Sequence, residues 1–500
     1  MEAVWKWIAD VNGAVNGVVW GPIGLVLLIG AGVVLTCCVK FFQVGHLGHW
    51  WKHTMGSFFK KSEKKEKTEK KSISQFQALC TALAATVGTG NIAGVATAIV
   101  IGGPGAVFWM LLAAFFGMIT KFAEIVLGIY FRRRNPDGEW SGGTMYTLKD
   151  GLGKKKGFKT VGSVLAVLFA VFTILASFGI GNMSQINSIM LNIKTAFFND
   201  APVMIGGYDV LPLIIGLVLT VIVALVVLGG LQRVATVAEK LVPFMAVLYI
   251  VGSLVVIGIN YQNILPAIGS IFTDAFTGQA AAGGVIGTVI VQGCKRGVFS
   301  NEAGLGSSTM VHASADVKEP VKQGLWGIFE VFMDTFVICL LTALTVLCSS
   351  ANTMVNSENA STAVTLAYAQ YFGQAGKIIV AVALTLFAFT TVLGWSQYGG
   401  KAVEYLFGVK GAKVYKVIFS LMTVSGAVMT SSLAWDVSDT FNGLMMIPNL
   451  IGLVALCPLL IKLTKNYVDR HIKGKQVEPM LSYDPKLQKE MQEPETVEAE

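Results

Sequence analysis

The stretch Thr86-Val-Gly-Thr-Gly-Asn-Ile-Ala-Gly94 lies in the middle of an apolar segment that runs from about Phe76 to Ile101. The segment is long enough to cross a membrane, yet three glycines, two threonines and an asparagine interrupt it at mid-depth. A helix that breaks inside a membrane exposes backbone N–H and C=O groups, which is costly unless protein, ion or ligand binds them. We therefore predict a binding site at this first break.

The composition places the break in a membrane protein with many spans. The chain has 500 residues, of which 54% are hydrophobic and only 14% are charged, and its mean hydropathy is +0.64. A water-soluble domain of this length would need a more polar surface. Apolar stretches of about 20 residues predict an all-α polytopic membrane protein with about 11 transmembrane helices. They lie at about 21–42, 75–101, 104–131, 161–196, 211–229, 237–259, 282–312, 323–348, 376–398, 413–430 and 438–463.

Lysine and arginine concentrate in alternate connections between these helices. Lysines follow the first helix between Lys52 and Lys71, and a second basic cluster, Arg132 to Lys159, separates the third and fourth helices. Because cytoplasmic loops collect Lys and Arg, the pattern predicts a cell-membrane protein with its N-terminus outside and its C-terminus in the cytoplasm. The net charge of +8 follows from this topology and gives no reason to expect a nucleic-acid partner. The connections that carry neither residue type lie near 197–210, 260–278 and 431–437.

The same pattern predicts how the chain is organised. Residues 1–43 contain the extracellular N-terminus and the first helix, and residues 44–74 form a Lys-rich cytoplasmic loop. Two blocks of five helices follow, at 75–260 and 275–465. Residues 466–500 form a polar cytoplasmic tail, and we expect it to be disordered from about Lys473 to Glu500.

A second polar interruption lies in the seventh predicted helix. It reads Gly293-Cys-Lys-Arg-Gly-Val-Phe-Ser-Asn301-Glu-Ala-Gly304 and shares the pattern Asn-x-Ala-Gly with the first break. Each break opens one block of five helices. Because five is odd, the second block enters the membrane from the opposite side, so the blocks would be inverted repeats. Paired broken helices in inverted repeats indicate a secondary transporter with a midplane site, whereas close helix packing would explain the glycines alone.

The glycine-rich start of the third predicted helix resembles a family signature. It reads Gly102-Gly-Pro-Gly-Ala-Val-Phe-Trp-Met-Leu-Leu-Ala-Ala-Phe-Phe-Gly117 and resembles that of the alanine or glycine:cation symporter family, except that Leu111 replaces a second Trp. Residues 86–94, Phe299–Gly306 and Leu393-Gly-Trp-Ser396 resemble the family's other motifs. The resemblance spans the chain from the first to the eleventh helix. It implies a LeuT-type 5+5 inverted repeat preceded by one extra helix, sodium coupling, and a small neutral amino acid as substrate.

The first break offers what the carboxylate of an amino acid needs. Backbone N–H groups at the positive end of a half-helix bind anions. Thr89, Gly90 and Asn91 are the candidates for this role.

The ammonium group of the same substrate needs oxygen atoms. Gln185 in the fourth helix and Ser300 or Asn301 in the second break are candidates, and Trp395 could cover a small side chain. Two alternatives stay open. Gln185 could instead bond another helix, and Trp395 could be an interfacial anchor.

Sodium is a hard cation that prefers oxygen ligands. Hydroxyl groups of Thr390 and Thr391, facing carbonyl groups freed near Thr86 and Gly88, would form such a site. The resemblance implies a sodium site at this pairing of helices. Alternatively, either threonine only bonds the carbonyl one turn back.

Ionisable residues at membrane depth are costly and need a role or a partner. Glu330 and Asp334 lie four residues apart on one helix face. They could bind a cation or a proton, or they could form an ion pair with Lys295 or Arg296. We favour the ion pair. Glu302 lies in the second break, where its carboxylate could order the backbone, gate the site or contribute to coupling.

Together these features predict a secondary active transporter that couples inward sodium movement to uptake of alanine or glycine by alternating access. A proton-coupled carrier, or a carrier of a larger neutral amino acid such as glutamine, is the alternative. A channel would need a filter repeated by symmetry, and an intramembrane enzyme would need a nucleophile with a base in reach; neither pattern is visible. The expected partners are the amino acid, sodium and the lipid bilayer, with no cofactor besides the co-transported ion, no enzymatic activity, and an oligomeric state that stays open.

Overall fold

Helices make up almost all of the regular structure, as the apolar segments predict. The computed structural model describes residues 2–58, 71–198, 201–276, 285–429 and 432–492. Most lysines of the predicted loop at 44–74, and the last residues of the tail, lie outside these described residues. In the first part of the chain the α-helices are α1 (Glu2–Val19), α2 (Pro22–Cys38), α3 (Phe42–Gly45), α4 (Leu47–His53), α5 (Met55–Phe58), α6 (Gln75–Thr86), α7 (Val95–Gly102), α8 (Gly105–Tyr130), α9 (Thr144–Tyr146), α10 (Lys159–Phe178) and α11 (Ser184–Phe198).

The second part of the chain continues the helical pattern. Its α-helices are α12 (Leu211–Val227), α13 (Gly230–Ile259), α14 (Ile264–Phe276), α15 (Val285–Asn301), α16 (Thr309–His312), α17 (Pro320–Val331), α18 (Leu340–Cys348), α19 (Ala363–Val428), α20 (Ser432–Ala455), α21 (Cys457–His471) and α22 (Pro485–Gln492). Wider π-helical turns lie at Gly90–Gly94, Thr147–Gly151, Gly179–Met183 and Phe332–Cys339. Short 3-10 turns lie at Leu152–Lys154, Tyr261–Asn263, Ala351–Thr353 and Ala360–Thr362.

Two short antiparallel hairpins are the strand pairs among the described residues. In the first, β1 (Arg133–Arg134) pairs with β2 (Trp140–Ser141), with Arg133 opposite Ser141. In the second, β3 (Met204–Ile205) pairs with β4 (Tyr208–Asp209).

Several helices have the length and apolar character needed to cross a membrane. Six such helices lie within the described residues, and up to eight if each of two bent pairs is one span. This finding supports a multi-pass membrane protein but does not confirm the predicted number of 11 spans. Part of the difference lies in α19, a long helix that Gly373 and Gly408 interrupt with non-helical backbone angles. Gly408 falls in the predicted connection between the ninth and tenth helices, so the division expected there is present.

Both predicted breaks interrupt their helices. α6 and the helical run from Gly90 to Gly102 meet at a bend of 54°. α15 ends at Asn301, and the chain then turns through left-handed backbone conformations at Glu302 (φ 55°), Gly304 (φ 96°) and Gly306 (φ 76°) before α16 begins. Glycine adopts such conformations at little cost, which explains the glycines of this second motif.

Several helices lie outside the predicted spans, among them α1 (Glu2–Val19), which precedes the first predicted span. The connection at 260–278 contains α14, and the polar tail contains α22, where Leu481, Leu487 and Met491 pack with Trp140 of the first hairpin. The prediction of disorder is therefore wrong for residues 473–492. Such segments lack the long apolar run that marks a span, because only one face of each contacts the rest of the protein.

The helical bundle has two ends, which we name the basic face and the opposite face. One end, the basic face, contains Lys71, Arg132, Lys154 and Lys401, and is held together by contacts such as Lys401 Nζ to the Trp140 carbonyl (3.0 Å). At the other end, the opposite face, Gln374 donates to the Ala196 carbonyl (3.0 Å), Tyr371 to Asn260 Oδ1 (2.6 Å), and Asn263 to the Cys348 carbonyl (2.8 Å).

Candidate functional site at the two breaks

A small buried cavity lies at the first break. Its volume is about 20 Å³, which is room for about one water-sized particle. It combines hydroxyl groups, an amide, a carboxylate, an indole ring and freed backbone. The lining residues are Ala85, Thr86, Gly88, Thr89, Gly90, Ile180, Gln185, Phe299, Glu302, Thr391, Trp395 and Asn442.

One wall of the cavity joins the end of α6 to α19. A Cβ atom placed on Gly394 would lie 2.6 Å from the Ala85 Cβ, so only glycine lets the two helices approach this closely. A Cβ on Gly88 would lie 2.5 Å from Thr391 Oγ1. The Thr391 hydroxyl thus faces the freed backbone, as predicted. It also donates to the Phe387 carbonyl (2.9 Å), which leaves its lone pairs available to a cation.

Thr390 has different surroundings from Thr391. Its hydroxyl donates to the Phe387 carbonyl (3.0 Å) and lies 3.4 Å from Met245 Sδ on α13. It is fully buried and does not line the cavity. Of the two threonines, only Thr391 lines the cavity.

Thr89 and Gln185 meet on another wall, although 96 positions separate them in sequence. Thr89 Oγ1 donates to Gln185 Oε1 (3.2 Å), and Gln185 Nε2 donates to the Ile180 carbonyl (3.1 Å). Trp395 lies beside them, and Gly181 approaches its ring so closely that a Cβ there would lie 2.5 Å from Trp395 Cγ. The Trp395 side chain is 2% exposed, which excludes an interfacial anchor.

Sequence reasoning missed several lining residues, among them Phe299 and Asn442. Phe299 belongs to α15, and Asn442 belongs to α20. Asn442 is 2% exposed, and its Oδ1 atom has no hydrogen-bond partner among the described residues. An amide inside an apolar helix was a detectable signal, but its direction depends on how α20 packs.

Asn91 and Ser300 meet at Asp334 and line neither this cavity nor the larger one described below. Asp334 Oδ1 accepts from Asn91 Nδ2 (2.6 Å), and its Oδ2 accepts from Ser300 Oγ (2.7 Å) and Thr335 Oγ1 (2.8 Å). Asn301 lies one residue further along and donates to Thr335 Oγ1 (3.0 Å). These contacts connect both breaks to the π-helical turn at Phe332–Cys339.

The ion pairs differ from the predicted ones. Lys295 pairs with Asp439 (2.6 Å), and among the described residues Asp334 forms no ion pair. Glu330 pairs with Lys121 (3.2 Å) and contacts His312 Nε2 (3.0 Å). The predicted pairing with Lys295 or Arg296 is therefore wrong, because helix packing brings α8 rather than α15 against this face of α17.

Glu124, and not Glu302, binds the backbone of the second break. Glu124 Oε1 accepts from the backbone N–H groups of Gly304 (2.9 Å) and Gly306 (3.1 Å), and from Asn449 Nδ2 (2.6 Å). Glu302 accepts from the Ser307 hydroxyl and lines the small cavity. Glu124 thus takes the ordering role, and Glu302 brings a carboxylate to the site.

A larger cavity of about 670 Å³, the vestibule, adjoins the small one. Thr89, Gly90 and Phe299 line both. From there the vestibule extends to Thr195 and Ser361, near the opposite face. Phe299 and Gly90 therefore separate the small cavity from a wide approach on that side.

The basic face is closed beneath the site. Arg132 donates to the carbonyl groups of Ala313 (3.0 Å), Ala315 (2.8 Å) and Val317, in the segment after the second break. Ile73, just before α6, forms a parallel bridge with Ala315. The two broken segments are thus joined at this face and separated at the other.

Comparisons with known proteins agree with this arrangement. The profile of the sodium:alanine symporter family matches residues 5–480. The sodium/alanine symporter AgcS of Methanococcus maripaludis is 44% identical over 454 residues, which are 91% of this chain and 96% of that protein. The probable sodium/glutamine symporter GlnT of Bacillus subtilis is 36% identical over 471 residues, which are 94% and 92% of the two chains.

A solved structure with little sequence similarity has a related fold. The structure of MhsT in complex with L-phenylalanine matches with a TM-score of 0.52 and 14% identity, over 79% of this chain and 99% of that chain. This likeness supports the predicted LeuT-type fold. With a family profile that covers nearly the whole chain and similar transporters along its full length, this protein belongs to the sodium:alanine symporter family.

Proposed function

We propose that this protein carries a small neutral amino acid, alanine or glycine, into the cell together with sodium. The observation that supports this most directly is the small cavity at the first break. It combines oxygen atoms suited to sodium with the start of a helix suited to a carboxylate.

In this proposal sodium binds between α6 and α19. Its ligands are the Thr391 hydroxyl and backbone oxygens near Thr86 and Gly88, all of which border the cavity. A sodium ion bound there would hold the freed backbone of the first break against α19. The substrate then meets an ordered site, and by linkage each ligand strengthens the binding of the other.

The amino acid binds on the other side of the same break. Its carboxylate faces the N–H groups at Thr89 and Gly90, where the helical run to Gly102 begins. Its ammonium group faces Gln185 and the Glu302 carboxylate, which both line the cavity. The Trp395 ring covers its side chain.

A cavity with room for about one water-sized particle must widen to admit an amino acid. Phe299 lies between the cavity and the vestibule, so movement of this ring would open the path from the opposite face. With the predicted topology, that face is extracellular, and the closed basic face is cytoplasmic. Alternating access then requires the contacts of Arg132 and Ile73 to separate after the opposite face has closed.

The cluster around Asp334 supports a role in coupling. Its carboxylate is fully buried and accepts hydrogen bonds from neutral groups only, including Asn91 and Ser300. Such a group can bind a second cation or a proton. We propose that Asp334 senses the ion on which transport depends, and that Asn91, Ser300 and Asn301 act through it, not by direct substrate contact.

Uptake of radiolabelled alanine into proteoliposomes tests the proposal. We expect accumulation above the external concentration with an inward sodium gradient, and none with potassium replacing sodium. Accumulation driven by a proton gradient without sodium would contradict sodium coupling and favour the proton-coupled alternative. Stronger competition by unlabelled glutamine than by unlabelled glycine would contradict a small substrate.

A further inference from the structure

The charges that line the vestibule all have one sign. Arg296 and Lys377 are the charged residues among its lining residues, and no described lining residue is acidic. The remaining polar lining is neutral, from residues such as Thr97 and Asn192. Low-dielectric walls with one sign of charge concentrate ions of the opposite sign. The two cationic side chains of the vestibule can therefore attract the carboxylate end of a zwitterion.

Arg296 lies at the inner end of the vestibule, one helical turn before Phe299. Its side chain is half-buried, and its Nε atom has no hydrogen-bond partner among the described residues. Its guanidinium carbon lies 5.9 Å from the centre of the Phe299 ring. Arg296 thus combines an unused donor with contact to the ring that separates the two cavities.

The nearby acidic residue does not satisfy Arg296. Asp439 Oδ2 accepts from Lys295 (2.6 Å) and Asn16 (3.3 Å), and Asp439 Oδ1 has no hydrogen-bond partner among the described residues. No ion pair joins Arg296 to Asp439 within the described residues. The adjacent residue Lys295 has the same charge but forms an ion pair with Asp439. Arg296 differs from it in having no ion-pair partner within the described residues.

From this geometry we infer that Arg296 forms an outer binding site for the carboxylate of the incoming amino acid. A guanidinium group matches a carboxylate with paired donors. A zwitterion held there by its carboxylate lies next to Phe299 and needs only to pass the ring to reach the N–H groups at Thr89 and Gly90. This inference rests on the proposed function and adds a loading step to it.

The first test measures binding without transport, by thermal unfolding of the purified protein in detergent. Propionate has a carboxylate but no ammonium group, and ethylamine has the reverse. We expect propionate to raise the unfolding temperature of the wild-type protein, ethylamine to have no effect, and Arg296→Gln to lose the propionate response. Equal stabilisation of Arg296→Gln would place propionate elsewhere and overturn the inference.

The second test measures initial rates of sodium-driven alanine uptake in proteoliposomes. Arg296→Gln should raise the alanine KM about tenfold, since the variant loses charge-assisted hydrogen bonds to the substrate carboxylate. Its maximal rate should stay unchanged, and Arg296→Lys should recover part of the affinity. A loss of maximal rate with an unchanged KM would overturn the loading role and assign Arg296 to the conformational change.

A control separates local binding from general charge effects. Lys194 lies near the same face, pairs with Asp209 (2.8 Å) and does not line the vestibule. Lys194→Gln should therefore keep the wild-type KM and propionate response. A KM change as large as that of Arg296→Gln would mean that surface charge, not a site, attracts the substrate.

Two further outcomes are informative. One distinguishes an inorganic anion from an amino acid as the ligand of Arg296, and the other distinguishes failure of the proposed function from failure of the carboxylate site. If chloride stabilises the wild-type protein as strongly as propionate, and Arg296→Gln loses both responses, the site binds inorganic anions and the amino-acid assignment is overturned. If the wild-type protein shows no sodium-driven uptake but binds propionate through Arg296, the proposed function fails while the carboxylate site stands.

Discussion

Thr390 and Thr391 are adjacent in sequence, yet only Thr391 faces the freed backbone of the first break. We expect Thr391→Ala to raise the sodium concentration needed for half-maximal uptake by about 10- to 100-fold, as the loss of support at a metal site typically does. Thr390→Ala is the matched control, because it removes the same hydroxyl from beside Met245, outside the cavity. Sodium titrations of uptake compare the two variants. Equal effects would contradict the assignment of Thr391 to the ion.

Asp334 offers a second prediction at a single residue. Asp334→Asn keeps the shape of the side chain but removes the charge that accepts from Asn91, Ser300 and Thr335. If Asp334 senses the coupling ion, this variant should lose accumulation against a gradient while still exchanging labelled for unlabelled alanine. Thr335→Val, which removes one donor without changing charge, should retain accumulation. Wild-type accumulation by Asp334→Asn would remove Asp334 from the coupling mechanism.

Several residues that the sequence pattern singled out line the small cavity, because the pattern was local. Thr86, Gly88 and Thr89 border the cavity because a break at membrane depth must expose their backbone. Gln185 and Trp395 were also predicted and also line it. Ser300 and Asn301, which were predicted to bind the ammonium group, contact residues of the π-helical turn at Phe332–Cys339 and do not line the cavity.

At the scale of elements, the second break depends on a helix that the motif does not contain. Glu124 in α8 binds the N–H groups of Gly304 and Gly306, and also Asn449. We expect Glu124→Ala to lower the free energy of unfolding by about 2 kcal/mol or more, since several hydrogen bonds to one charged group are lost. Thermal unfolding in detergent measures this change as a lower transition temperature.

A control for Glu124 is available on α13. Glu239 accepts one hydrogen bond, from Gln77 Nε2 (2.9 Å), and is only half-buried. Glu239→Ala should lower the transition temperature much less. If the two variants unfold at the same temperature, the hydrogen bonds of Glu124 do not stabilise the second break.

Long apolar elements were predictable, whereas elements defined by packing were not. The 3.6-residue period and the length of a membrane span identify α8 and α13 without tertiary information. α14 and α22 have one apolar face each. The face of α14 packs against α8 and that of α22 against Trp140, so neither helix can be recognised without the tertiary contacts. The role of Asn442 was unpredictable for the same reason, because the packing of α20 decides which surroundings its amide group faces.

For the whole molecule, the basic face is closed by segments from distant parts of the chain. Residues 478–492, which we name the strap, contact the first hairpin through Leu481, Leu487 and Met491, and the Tyr483 N–H donates to the Tyr130 carbonyl (3.1 Å). The hairpin in turn contacts α19, where Asn135 Nδ2 donates to Glu404 Oε1 (3.1 Å). The strap therefore favours the conformation in which the basic face is closed.

Removing the strap should shift the equilibrium away from the conformation in which the basic face is closed. A chain truncated after residue 477 loses three buried apolar side chains at the hairpin, each of which contributes about 1.5–3 kcal/mol as an upper estimate. We expect faster amide hydrogen exchange in residues 133–141 and a higher alanine KM from the opposite face, because fewer molecules are open there. A chain truncated after Gln492 keeps the strap and is the control. Identical exchange in both chains would show that the strap does not hold the hairpin.

The position of the strap in the chain has a consequence for biosynthesis. A ribosome synthesises residues 478–492 only after the last apolar helix, so every span is made before the strap exists. During that interval the nascent chain lacks one restraint on its basic face. The hairpin at 133–141 has no contact with the strap until residues more than 300 positions later are translated. A transcript truncated just after the codons of the final apolar helix would therefore encode every span but not the strap. We expect its product to insert into the membrane with the basic face unrestrained.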